Sequence, residues 1–127
     1  MKVICLLKRK AGISAEEFRD YYEKHHAPLA MRLLPYFSDY RRNYIRHDLS
    51  YKPEHIETFP GPPDYDVVME FSCPTKEDHE NLMAAMADPE IGRLLADDEE
   101  KFMDRDAMVL FFVDEEVTPA EKLKAPA

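Results

Sequence analysis

Five consecutive apolar residues, Val3-Ile4-Cys5-Leu6-Leu7, stand between Lys2 and the basic run Lys8-Arg9-Lys10. Side chains alternate across a strand, so a strand made from this run buries both faces and belongs inside a sheet, not at its edge. Met108 to Val113 is apolar throughout, and Asp64 to Cys73 carries Val67, Val68, Met69 and Phe71 at its centre. Strands of this kind require a sheet that is covered on two sides.

The segments between them read as helices. Ser14-Ala15-Glu16-Glu17 is a capping box, with Ile13 and Phe18 placed as a hydrophobic staple. The stripe Phe18, Tyr22, His25/His26 and Leu29 follows one helical face, and Pro28 predicts that regular helix ends or kinks near Ala27. Thr75-Lys76-Glu77-Asp78 opens a second helix with Leu82, Met83 and Met86 on its apolar face, and Asp88-Pro89-Glu90 restarts a helical stretch through Leu94 and Leu95. Residues 37–47 mix β-forming residues with charge and read as an outer strand, or one whose polar side faces a cavity. The Pro-, Gly- and His-containing stretch 48–63 reads as a long loop of the kind that is often functional.

The resulting order, β-α-β-β-α-β, predicts an α+β ferredoxin-like sandwich with a four-stranded antiparallel sheet. Two helices cover one side of that sheet. A twofold homodimer, sheet against sheet, is the natural cover for the other, because a large apolar patch is rare on a monomer. Residues 1–117 form the expected domain, and the charged, Pro/Ala-containing stretch 118–127 the expected C-terminal tail.

With 127 residues and a formal net charge of −9, the chain is a poor match for nucleic acid or an anionic membrane surface. The charge is uneven: +4 over residues 1–50 and −13 over the remainder, where Asp97-Asp98-Glu99-Glu100 reads as part of a solvated acidic face. No apolar leader or membrane-spanning stretch is seen, and Cys5 and Cys73 read as buried thiols, so a cytoplasmic protein is expected. Adjacent His25 and His26 point roughly 100° apart around a helix, unlike the i, i+4 pairs that bind zinc. With three glycines and no phosphate-cradling loop, the chain is expected to use no metal and no cofactor.

Leu6 to Lys10, Gly12-Ile13-Ser14 with Glu17-Phe18, and His26-Ala27-Pro28-Leu29 resemble the opening of EthD-domain proteins. Tyr65-Asp66, and Asp98-Glu99 followed by Phe102-Met103-Asp104, are similar to the second half of that family, so the resemblance spans about residues 2–116. It implies membership of the dimeric α/β-barrel superfamily, hence a ferredoxin-like protomer and a sheet-to-sheet dimer. It also implies a range of chemistries, from cofactor-free isomerases and polyketide cyclases to monooxygenases and haem enzymes. Fold kinship does not choose among them.

His26 matches the family histidine before Ala-Pro and is the first candidate for a general base or acid, with Tyr22 one turn earlier on the same face. The other reading is a histidine that caps the last helical carbonyls. Tyr40, Arg42 and Tyr44 share one side of the second strand, where a phenol can hold an enolate and an arginine a carboxylate; an edge strand guarded by charge has the same pattern. Asp66 and Asp104 are candidates to orient an imidazole or an arginine, and Asp66 can equally pair with a neighbouring strand. His25, His47 and Tyr65 complete the candidate substrate-binding residues, and His55 flanks the loop. The expected function is a cofactor-independent lyase, dehydratase, cyclase or isomerase acting by proton transfer on a small apolar cyclic or aromatic carbonyl compound. A cofactor-free or haem-assisted monooxygenase, and a non-catalytic module that binds an apolar metabolite, are the alternatives.

Overall fold

In the computed structural model of the protein, which describes residues 1–49 and 51–124, strand β1 (Lys2–Leu7) is hydrogen-bonded on both sides. Val3, Cys5 and Leu7 are buried on the face that meets the helices, and Ile4 and Leu6 lie half-buried on the other. The sheet order is β2-β3-β1-β4, with β2 spanning Asp39–Tyr44, β3 Val67–Ser72 and β4 Val109–Val113, and every pairing is antiparallel. This is the predicted ferredoxin-like α+β arrangement, and β1 is the interior strand that its two-sided apolar run requires.

Gly12, at a φ of 92°, turns the chain after β1 into helix α1 (Ala15–Tyr21). The capping box forms: the Glu17 N–H donates to Ser14 Oγ at 3.0 Å and the Ser14 N–H to Glu17 Oε1 at 3.1 Å. Phe18 is fully buried, a contribution on the order of 2–3 kcal/mol from transfer out of water.

The helix does not stop near Ala27. It passes through a π turn (Tyr22–His26), in which the Ala27 N–H donates to the Tyr22 carbonyl, and continues as α2 (Ala27–Leu33). Pro28 has no N–H to give, so it sits at the start of a new α segment, where that donor is not needed. The expected interruption is therefore a change of helical register, and it keeps both Tyr22 and His26 directed inward.

Helix α3 (Lys76–Ala87) starts at Thr75, whose Oγ1 accepts from the Asp78 N–H, and buries Leu82 completely. Asp88 ends α3 and caps α4 (Pro89–Glu99), its Oδ1 accepting from Glu90 and Ile91. The segment after α4 is laced to the chain leaving β1, with Lys10 N–H donating to the Phe102 carbonyl and Asp104 N–H to the Lys8 carbonyl, both at 2.9 Å. That lacing fixes the C-terminal end of α4 beside the sheet. No helix among the described residues is long and apolar enough to cross a membrane.

The long loop runs over the surface, with Tyr51, Ile56 and Phe59 exposed; its position 50 lies outside the described residues, as do positions 125–127 of the expected tail. On the open face of the sheet, Ile4, Leu6, Val68, Val109 and Phe111 form an apolar strip beside Lys2, Glu70 and Arg41. The Lys2 ammonium pairs there with Glu70 at 3.3 Å.

Candidate active site

The π turn, the end of α4 and strand β2 converge on one cavity of about 90 Å³ between the helices and the sheet. Its wall is mostly apolar, including Leu7, Leu34, Met69, Phe71, Leu95 and Met103. Four polar side chains reach it: His26, Glu99, Tyr22 and Tyr40. Met86 and Leu110 line the cavity and are also exposed, Leu110 by 48%, so the mouth lies between α3 and β4. Strand β4 is an outer strand, and Leu110, paired with Cys5, faces the helix side without full cover.

His26 is 5% exposed and packs against Phe102, whose ring centroid lies 5.0 Å away. Its Nδ1 is 2.9 Å from Asp98 Oδ2, and Asp98 Oδ1 accepts from the Tyr21 hydroxyl at 2.5 Å. Burial alone would raise the Asp98 carboxyl, but the hydrogen bonds from Tyr21 and His26 outweigh it and hold it below its ordinary value. An ionised Asp98 only accepts, so it selects the tautomer with the proton on Nδ1. The Nε2 lone pair is then the basic end of the ring.

Glu99 faces that end. Its Oε2 lies 3.9 Å from His26 Nε2, and its Oε1 accepts from Arg105 Nε at 3.2 Å. Burial pushes the Glu99 carboxyl up, against the opposing pull of His26 and Arg105. On the other side of the imidazole, Tyr22 makes an edge contact with His26, and the Tyr22 and Tyr40 hydroxyls lie 3.2 Å apart. Burial is the main reason that both phenols are raised, so they stay neutral donors. One hydroxyl donates to the other, which leaves one O–H free. A base, a carboxyl and a phenol donor thus share one mostly apolar cavity, an arrangement suited to removing a proton beside a carbonyl and holding the oxygen that becomes negative.

The structure gathers His26, Tyr22 and Tyr40 from among the candidates and sends the rest elsewhere. The heads of Tyr44 and Arg42 are both taken by Glu23, the phenol at 2.6 Å and the guanidinium by a two-pronged contact at 2.8 and 2.9 Å. Asp66 does not reach His26: it accepts from the Arg9 N–H at 2.7 Å, and its own backbone joins Leu7 and Ile45. Asp104 caps a short 3-10 turn (Arg105–Ala107), and His47 Nε2 contacts the Tyr65 carbonyl at 2.6 Å. His25 is exposed and stacks on Tyr21. None of the described loop residues lines the cavity.

Sequence reasoning missed the places of Asp98 and Glu99 beside His26, and put both on a solvated acidic face. Only Asp97 and Glu100 of that run are exposed. The signal was the spacing Leu95, Asp98, Glu99, Phe102, which is i, i+3, i+4, i+7 and puts both carboxyls on the apolar face of α4 and its continuation. Among the described residues, no three His, Cys, Asp or Glu side chains converge as a metal cage.

The EthD domain model matches residues 10–106 of the chain. The chain is 28% identical over 113 residues to the conidial pigment biosynthesis dehydratase EthD of Metarhizium robertsii, across 84% of this chain and 78% of that protein. Its fold is similar to that of an EthD family protein from Bacillus halodurans, with a TM-score of 0.58 and 22% identity over 91% of this chain and 97% of the other. An EthD-like protein from Ralstonia eutropha gives a TM-score of 0.61 and 21% identity over 94% and 95% of the two chains.

Proposed function

This chain belongs to the EthD domain family, and on that footing we propose that it is a dehydratase-type enzyme that removes a proton next to a carbonyl group. Its substrate is a small, largely apolar ring compound, and its own side chains carry the reaction. The observation that carries this reading is the buried His26, anchored through Nδ1 by Asp98 at 2.9 Å, with Nε2 left free of that anchor and the ring lining a mostly apolar cavity. The dehydratase named among its relatives supports the choice of water loss over isomerisation.

His26 Nε2 takes the α-proton, and the free hydroxyl of the Tyr22–Tyr40 pair donates to the carbonyl oxygen as it becomes an enolate. A positioned base contributes about 100- to 10,000-fold, and a phenol donor in a dry site adds roughly 3 kcal/mol to transition-state stabilisation. Such machinery suits a C–H bond already made acidic by its carbonyl. The cavity takes the reacting end of the molecule, and the remainder extends past Met86 and Leu110. The same reading includes a twofold dimer built on the apolar strip of Ile4, Leu6, Val68, Val109 and Phe111.

The test is conversion of 3-hydroxy-1-tetralone to 1-naphthol, followed by naphthol fluorescence. His26→Gln is expected to lower kcat by at least about tenfold with little change in melting temperature. Unchanged turnover in a variant that melts much lower would make His26 a packing residue and remove the proposal.

A further inference from the structure

Dehydration needs two proton transfers: one removes the α-proton and the other turns the departing hydroxyl into water. His26 supplies one. The second is not supplied by the Tyr22–Tyr40 pair if that pair is committed to the carbonyl oxygen. Among the described residues, Glu99 is the remaining side chain that brings oxygen or nitrogen to the cavity wall. Its Oε1 is held by Arg105, which leaves Oε2 at 3.9 Å from His26 Nε2, beyond hydrogen-bond reach but close enough for Nε2 to meet an α-hydrogen and Oε2 the hydroxyl on the adjacent carbon of one substrate.

We propose that Glu99 is a second catalytic residue, the acid that protonates the leaving hydroxyl, so that the enzyme takes β-hydroxy carbonyl substrates and expels water from the same face that loses the proton. The inference rests on the dehydratase reading above and specifies its substrate class.

The step balances without an added reagent. The α C–H bond breaks to Nε2, its electron pair becomes the new C=C bond, and the C–O bond breaks with its pair going to oxygen. Glu99 Oε2 delivers a proton to that oxygen, and water leaves. The enzyme is left with an imidazolium and a carboxylate side by side, and transfer of one proton between them restores the starting state. Burial among apolar side chains pushes the Glu99 carboxyl up, the direction that an acid requires. The groups facing it are His26 from the π turn, Arg105 from the 3-10 turn, Asp98 from its own helix and Cys5 from β1.

Two assays on the full-length protein separate the acid from the base. Hydrogen exchange at the α-carbon of 1-tetralone in deuterated water needs the base but not the acid, because this ketone has no leaving group. Dehydration of 3-hydroxy-1-tetralone needs both. Glu99→Gln is expected to lower dehydration at least about thirtyfold more than it lowers α-exchange, and His26→Gln is expected to lose both. Substrate labelled with deuterium on the hydroxyl-bearing face should lose its label in the wild-type reaction.

Equal loss of exchange and dehydration in Glu99→Gln would show that Glu99 acts only through His26 and would overturn the assignment. Full dehydration by Glu99→Gln, with His26→Gln inactive, would overturn the acid role but leave the proton-transfer reading standing. Retention of the label would overturn the one-face geometry. A wild-type protein inert in both assays would remove both proposals together.

Discussion

The hydroxyls of Tyr22 and Tyr40 lie 3.2 Å apart and join the π turn to the outer strand β2 across the top of the cavity. The Arg42 guanidinium rests over the Tyr40 ring at 4.6 Å, which holds that ring in place from the solvent side. Each hydroxyl is the only polar partner that the other has among the described residues. Tyr40→Phe therefore strands the buried Tyr22 hydroxyl and is expected to lower stability by about 1–3 kcal/mol. Tyr22→Phe together with Tyr40→Phe should recover much of that loss, because no polar group is left unpaired. Activity should follow a different order, with the double variant the least active, since it has no donor for the enolate oxygen. Thermal melts and turnover on the three variants check both orders.

Asp98 holds His26 in one tautomer, and the consequence is measurable. In Asp98→Asn the side-chain amide can donate to Nδ1, which moves the ring proton to Nε2 and removes the lone pair from the cavity. The expected loss in kcat is on the order of 100- to 10,000-fold. Nitrogen NMR of the His26 ring reads the tautomer directly. A variant that keeps the proton on Nδ1 yet loses activity would assign Asp98 a different part.

Much of this was legible in the sequence because local and long-range signals agreed. Ser14 and Glu17 formed their capping box, β1 took the interior place that its apolar run demanded, and Tyr22 and His26 turned inward together. Pro28 misled in a limited way: its missing donor marks where the helix changes register, and propensity alone does not distinguish that from an end. Arg42, Tyr44 and Asp66 had the right chemistry for a site but found nearer partners in Glu23 and Arg9, and such pairings depend on tertiary distances that no spacing encodes. Asp98 and Glu99 were hidden by composition, because a run of four acids looks solvated until helical phase is applied to it.

Acid should act on this fold through three carboxyls, two shifted down and one shifted up. The Arg42 guanidinium holds Glu23 down at about 2, against an ordinary 4.5, so its stabilisation is complete above about 4.5 and is lost as pH falls toward 2. Asp98, also depressed, adds loss in the same direction. Glu99 is raised above 4.5, so its contribution is full below that value and is lost as pH rises through its folded value. Arg42→Met should flatten the acid limb of a melting-temperature profile. Glu99→Gln should remove the decline on the higher-pH side, with His26, Arg105, Asp98 and Cys5 as the neighbouring titratable or charged groups. Parallel profiles for wild type and both variants would contradict these assignments.

The open face of the sheet yields a prediction about assembly. Val109 and Phe111 are each 38% exposed in the single chain, beside half-buried Ile4, Leu6 and Val68. Lys2, Glu70 and Arg41 border this strip with alternating charge, so a copy rotated by a twofold axis can meet apolar with apolar and base with acid. Light scattering is expected to give twice the chain mass at micromolar concentration. Phe111→Arg would bury two like charges near the axis of such a pair and should shift the protein to monomer, while Phe112→Arg, on the helix side of the same strand, should leave the dimer intact. A wild-type monomer, or a dimer indifferent to Phe111→Arg, would mean that this face is covered in some other way. The cavity mouth at Leu110 lies on the opposite side of β4, so loss of the dimer should weaken turnover only as far as it loosens that strand.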